Sequence, residues 1–440
     1  LLTEFYRFLN MAFKKLPKYQ GGTLQEEIER TGFHREVLDS RAVVMGEFRP
    51  IRQICMGIRI PKGSAHDSPK KQGLHHLTEH MLFKPQTRGD MTILTERIED
   101  FGGVVSAATT PTYTEGLIQV PLDRYKRGLQ YLTLLMGRIP KVSRADFEHE
   151  RDVIKIEIGK YHDNPESFII DLLHEESFEL PFGNSIVGDI DSVSRITRRD
   201  VHNIWEASYL PSTFIVSSIG GIPPEQIARD LEKILRKQTK THPITDIPVI
   251  VPKRKFSHRN IPRRGLMDAH LGFSFIGTPV EHEDAFAWDV IDAFLCEGFS
   301  SCLYRSIRET SGLIYHLQSA PYQVQRMGVY ELSLQTDPNK IHLVEKLIKR
   351  GFEAAKNMSQ SEFRKAKQKA LGRYDSRERT LDERREEFAE EEQQRGNAEL
   401  LYNNRRNIAK VRLEQVRRVI QVPNFSTGER NFSSVYILPA

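Results

Sequence analysis

The spacing of apolar positions changes several times along the chain, and each change predicts a new element. Residues 37–61 alternate or run apolar, through Val37-Leu38, Ala42 to Met45 and Ile51 to Ile60. They read as two strands joined around Gly46-Glu47-Phe48-Arg49-Pro50, with residues 24–36 ahead of them as a short polar helix or arm. Helical spacing follows at 91–101, where Ile93, Leu94, Ile98 and Phe101 share a side and Gly102-Gly103 stops the run. Strands are predicted at 104–114 and 116–120 around Pro111, then helices over 123–138, 146–159 and 166–182. A helix over 195–205 with Thr197 as N-cap, a strand at 214–221 and a helix from Pro223 to Leu235 complete this series.

A polar segment bearing Lys, Thr and Pro, Lys237 to Lys255, is the best domain boundary in the chain. Beyond it the order of elements recurs. Strands are predicted at 266–276 and 328–335, and a helix at 283–296. Ser300 to Glu309 reads as a helix in the place that the Gly73–Lys84 stretch takes in the first half. Ser359 to Gln394 reads as one long charged helix bent near Gly372. Residues 408–421 and 434–438 match the 195–205 helix and the 214–219 strand in place. The divisions are an arm over 1–36, a first αβ domain over 37–236, a linker over 237–256 and a second αβ domain over 257–440.

One helix carries chemistry. Gly73 to Lys84 contains His76-Leu77-Thr78-Glu79-His80, with no Pro or Gly inside the string. Residues three and four apart share a helix face, so His76, Glu79 and His80 point the same way. Two imidazoles one turn apart can hold a single Zn²⁺. The carboxylate beside them is placed to take a proton from water on the metal. The order H-x-x-E-H is that of the inverzincin peptidases. Such a metal needs a further protein ligand, and the 146–159 helix offers candidates. Glu150 and Glu157 are two turns apart on one face, and His149 and His162 lie nearby. Spacing alone does not choose among them.

Composition narrows the classes. With 39% hydrophobic and 28% charged residues in 440, the chain has the balance of a globular protein of two or three domains. A net charge of +5, with no basic run interleaved with aromatics, does not point to nucleic acid. Cys55, Cys296 and Cys302 are odd in number and lack C-x-x-C spacing, so they read as buried thiols in a reducing compartment, the cytoplasm. No apolar run reaches the ~18–20 residues a membrane span needs. Residues 1–10, with Glu4 and Arg7, make a poor signal peptide, and Met11-Ala-Phe-Lys-Lys reads as an alternative start.

From about residue 38 onward the sequence resembles the M16 peptidases, the pitrilysin, insulin-degrading and mitochondrial-processing group. The resemblance rests on Gly73 to Lys84, on Gly102-Gly103 with Ser106-Ala-Ala-Thr109, and on Glu150-Arg-Asp-Val-Ile-Lys-Ile-Glu157. Further matches are Ile186-Val-Gly188, Tyr209-Leu-Pro, Ser300-Ser301 and Arg308-Glu-Thr-Ser-Gly-Leu-Ile-Tyr315. It implies an α+β fold of two similar domains, each a mainly antiparallel sheet packed against helices. It implies that His76, His80 and Glu157 bind one Zn²⁺ per chain, that Glu79 is the general base and that Glu150 is a supporting acid. Arg308 and Tyr315, otherwise an unremarked helix cation and a strand or core aromatic, would grip substrate, Tyr315 as a donor to the oxyanion. Substrate peptide would add as a strand near Ser106, Ala107, Ala108 and Thr109. The family usually has Asn-Ala-Tyr where this chain has Ser106-Ala107-Ala108, and an aromatic where it has Gly116.

The resulting expectation is a zinc endopeptidase acting on peptides or unfolded substrates in a two-subunit chamber. That chamber is a homodimer, or a heterodimer with a related M16 subunit, with Arg308 and Tyr315 completing the partner's site. One rival is a chamber-forming, peptide-binding subunit without proteolysis. The other is a metal hydrolase or lyase that is not a peptidase.

Overall fold

The structure, a computed structural model, describes residues 31–39, 42–83, 91–137, 142–209, 212–235, 253, 256–309, 314–324, 327–376, 379–426 and 430–440. Most of the expected linker and all of residues 1–30 lie outside them. Two sheets organise the chain. The first holds β1 (Phe33–Leu38), β2 (Ala42–Phe48), β3 (Gln53–Ile60), β4 (Val104–Thr109), β5 (Thr114–Pro121) and β6 (Phe214–Gly220), in the order β1-β2-β6-β3-β5-β4. The second holds β7 (His258–Arg263), β8 (Ala269–Ile276), β9 (Ile314–Val324), β10 (Met327–Thr336) and β11 (Phe432–Pro439), in the order β7-β11-β8-β10-β9.

Setting β1 aside, both sheets follow one plan. Numbered by appearance within its half, each runs 1-5-2-4-3, with the 1–5 pair parallel and the other pairs antiparallel. This is the expected pair of similar, mainly antiparallel αβ domains. It follows that β4 and β9, third in each half, are the matching edge strands.

The first half carries α1 (Leu74–Leu82), α2 (Met91–Asp100), α3 (Tyr125–Gly137), α4 (Arg144–Asp163), α5 (Pro165–Ser177), α6 (Ile190–Arg195), α7 (Arg198–Ile204) and α8 (Pro224–Leu235). The second carries α9 (Ala287–Leu295), α10 (Ile341–Lys356), α11 (Gln360–Ser376), α12 (Leu381–Arg395), α13 (Asn404–Lys410) and α14 (Leu413–Val419). Central strands are covered on both faces, which is why they read as apolar runs rather than clean alternation. Ala42, Val44, Ile54, Met56 and Ile58 enter a core with α3 and α8. Val43, Met45, Ile215 and Ile219 pack on the other face against Phe388 and Ala389 of α12.

That last contact crosses between the halves. Helix α12 belongs by sequence to the second half yet covers the first sheet. Reciprocally, Ile169, Leu172 and Leu173 of α5 pack on Val435 and Ile437 of β11 in the second sheet. Each half therefore lends one helix to the other's sheet. The α12 seam is also charged: Arg385 donates to Glu115 of β5 and to Ser217 of β6, and Arg59 of β3 reaches Glu115 at 3.0 Å. Gly57 leaves the room, since a Cβ there would meet the Arg385 guanidinium.

Several expectations are corrected. Residues 33–36, read as the end of an arm, form β1. The 166–182 helix stops at Ser177, and the long charged helix breaks between Ser376 and Leu381, where Thr380 caps α12, while Gly372 lies inside α11. Ser300–Glu309 does not take the place of the H-x-x-E-H helix. By element order α9 follows β8 as α1 follows β3, and only a π-helical turn, Tyr304–Glu309, occupies the later position. Strand β7 escaped prediction because, as a half-exposed edge containing Pro262, it has no alternating apolar face. Of the cysteines Cys55 is buried and the other two half-buried, all three as free thiols.

Candidate metal centre

Helix α1 is buried along nearly its whole length, and its start is capped from outside the helix. Asp67 accepts hydrogen bonds from the backbone N–H groups of Gly73, Leu74 and His75 at 2.9, 3.0 and 3.2 Å. The same carboxylate lies 2.6 Å from His75 Nδ1, so the histidine preceding the string is part of the cap. Three orphan N–H groups and the helix dipole thus find one anion. Gly73 sits at φ 84°, and a Cβ there would lie 2.5 Å from the Val187 carbonyl oxygen. Gly188, at φ 74°, approaches Gln72 as closely from the other side. Two separate glycine-bearing blocks of sequence are therefore one backbone crossing.

The second wall is α4, capped by Ser143, which accepts from Asp146 N at 3.0 Å. Phe147, Ile154 and Ile158 pack with Leu74, Leu77 and Met81 of α1, and this shared core sets the two helices face to face. The carboxylate of Glu157 then comes 3.9 Å from His76 Nε2 and 3.5 Å from His80 Nε2. His76, His80 and Glu157 each present a donor atom, all within 4.8 Å of one another. Sequence left four acids and histidines open; His149 is exposed, the His162 ring packs at a tilt against Phe168, and of the four Glu157 joins the pair.

This donor set fits a zinc ion. With ligand distances near 2.0–2.1 Å, a tetrahedral site needs donors about 3.3 Å apart, so a bound ion would draw together three atoms that now lie within 4.8 Å of one another. Burial, followed by the neighbouring His80, pushes His76 down to about 3, so its imidazole is neutral and carries a lone pair. His80 Nδ1 lies 3.1 Å from a carboxylate oxygen of Glu150, which is itself buried. That contact favours the tautomer whose free lone pair is on Nε2, toward Glu157. His76 Nδ1, by contrast, is buried without a hydrogen-bond partner among the described residues.

Glu79 is buried beside the cluster, and desolvation raises its carboxyl above the usual range against the opposing pull of Thr109 and His80. The Thr109 hydroxyl donates to Glu79 Oε2 at 2.8 Å. This contact was not anticipated; no sequence spacing relates 79 to 109. Ser106, Ala107, Ala108 and Thr109 lie on β4, which pairs with β5 and has no other strand beside it among the described residues. Ala107 stands opposite Gly116, so Ser106 and Ala108, which depart from the family pattern, flank the position that faces the third departure.

Arg308 and Tyr315 stand elsewhere. Arg308 is exposed on the π-helical turn with its guanidinium 4.9 Å from the Tyr304 ring, and among the described contacts it touches none of the four motif residues. Tyr315 is at the start of β9, and its side chain lies outside the described part of the structure.

Comparison with known proteins locates these features. Residues 42–190 match the family model "Insulinase (Peptidase family M16)", and residues 195–370 match "Peptidase M16 inactive domain". An uncharacterized zinc protease of Bacillus subtilis is 24% identical over 308 residues, 70% of this chain and 74% of its own length. A probable mitochondrial-processing peptidase subunit beta of Arabidopsis thaliana is 29% identical over 183 residues, 41% of this chain and 34% of its own. A solved protease from Helicobacter pylori has the same fold, with TM-score 0.81 at 19% identity over 92% of this chain and 99% of that one.

Proposed function

Because the chain belongs to peptidase family M16, we propose that it is a zinc-dependent endopeptidase whose centre is built by α1 and α4. The observation that carries the reading is the convergence of His76, His80 and Glu157 beside a buried Glu79. These three residues would hold one Zn²⁺ per chain. A bound zinc supplies a Lewis acid that acidifies water and polarises a carbonyl.

Everything else is done by groups of this protein. Glu79, with its proton affinity raised by burial, accepts the proton of the attacking water and passes it to the leaving amine. Glu150 keeps His80 in its ligating orientation. The free edge of β4 offers backbone N–H and C=O groups to an extended peptide, which places a bound strand within reach of Thr109 and so of Glu79. Glu79→Gln should keep its zinc, measured by metal analysis, while cleavage of a fluorogenic peptide falls about 10²–10⁴-fold. Full activity in that variant, or a wild-type chain that neither binds zinc nor cleaves, defeats the assignment and leaves a peptide-binding partner subunit.

The reading extends to a homodimer. The zinc set lies on the first half while Arg308 and Tyr315 lie on the second, so a partner copy completes each site. Mixing Glu79→Gln chains with Tyr315→Phe chains should restore part of the activity that each lacks alone. Two inactive variants whose mixtures stay inactive would exclude completion by a partner copy.

A further inference from the structure

We propose that Thr109 is a positioning residue for the base, so that the edge strand meant for substrate also holds Glu79 in place. The inference rests on the peptidase reading above. Among the described residues, the Thr109 hydroxyl is the one hydrogen-bond donor on the buried Glu79 carboxylate, at 2.8 Å. A buried carboxylate on a flexible side chain is otherwise free to turn about its terminal bonds, and a hydrogen bond to a charged acceptor is among the stronger ones.

The hydroxyl is itself held by a frame. Thr109 pairs with Thr114 at the last rung before the β4–β5 turn. Thr114 Oγ1 bonds the Lys62 carbonyl oxygen at 2.9 Å and lies 2.9 Å from Tyr209 Oη. The turn is tied on one side to the segment that caps α1. Ser64 N and Ala65 N donate to the Thr110 and Pro111 carbonyls at 3.0 Å each, and a Cβ on Gly63 would collide with the Thr110 oxygen. Three residues further on, Asp67 holds the start of α1. On the other side α12 grips the turn: Gln393 donates to the Thr112 carbonyl at 3.1 Å, and Tyr113 Oη donates to Glu386 at 3.0 Å. The helix that bears the base and the strand that bears its partner are thus fastened to one short loop. A bare hydrogen-bond satisfier for a buried acid would not require that frame.

The test is a pair of substitutions in the full chain, with peptide kinetics, zinc content and thermal unfolding measured for each. Thr109→Val keeps the shape and removes the hydroxyl. It should lower kcat about 10- to 100-fold, with KM and zinc content unchanged because the β4 backbone and the ligands are intact. Thr109→Ser should restore kcat to within about threefold of wild type. Wild-type kcat in Thr109→Val, or equal losses in the Val and Ser variants, overturns the role of the hydroxyl. If Glu79→Gln is inactive while Thr109→Val is not, this inference fails alone. If wild type cleaves nothing, the peptidase reading fails and takes this role with it.

Discussion

Glu150 lies against His80 rather than among the candidate donors. On the zinc reading it would not touch the metal but would fix a ring that does, and the asymmetry between the two histidines makes that contact measurable. His80 is oriented from behind by Glu150, whereas His76 Nδ1 has no hydrogen-bond partner among the described residues. Glu150→Gln should therefore weaken zinc binding about 10- to 100-fold, read by competition with a chromogenic chelator, and leave the fold intact. Residue identity in the string was legible because helix geometry relates positions three and four apart. Which carboxylate joins the two histidines was not legible from spacing, since the choice between two acids two turns apart depends on how α4 is rolled against α1. Phe147, Ile154 and Ile158 decide that roll by burying their own side. Glu150 ends behind His80, and Glu157 beside both rings.

At the scale of elements, α1 starts where it does because a backbone crossing leaves no choice. Gly73→Ala would force a Cβ at φ 84° to within 2.5 Å of the Val187 oxygen. A loss of about 2–4 kcal/mol in unfolding free energy is expected, from urea titration, together with weaker zinc binding. The strand and helix periods of the first half were readable along most of their length, since each carries a clear apolar face. Two of the failures share a physical origin. Strand β1 and strand β7 are sheet edges whose buried and exposed positions do not alternate cleanly, so period two is faint in both. The boundary at 376–381 is set by the Thr380 capping box rather than by Gly372, and a solvated glycine in a helix costs too little to end it. The Thr109–Glu79 contact lies outside any local pattern, because strand pairing and a turn bring the two together.

Across the whole molecule, α12, which the second half lays over the first sheet, carries a buried acid whose titration bears on stability. Glu391 lies 2.9 Å from Arg395, and Arg395 in turn donates to the Val280 carbonyl of the second half. Burial pushes the Glu391 carboxyl up to about 7, against the opposing pull of Arg395. The folded chain then keeps a proton that the unfolded chain has released, so this group's contribution to stability falls as pH rises from the ordinary carboxylate range through 7. Glu391→Gln, neutral throughout, should unfold at a higher temperature than wild type at pH 8, by up to about 2 kcal/mol of stability. That advantage should vanish near pH 4, where both side chains are uncharged. Scanning calorimetry across this range checks it.

The reciprocal loan of α5 and α12 bears on how such a chain can be divided. A cut in the segment between residues 236 and 253 separates the two sheets in sequence, but each fragment leaves with the other's covering helix. The first fragment would present Val43, Met45, Ile215 and Ile219 to water, and the second would present Val435 and Ile437. Neither should be soluble when expressed alone, whereas co-expressed fragments should reassemble into a single cooperative unit that unfolds in one transition. The halves resemble a duplicated domain in plan, but in folding they are obligate complements.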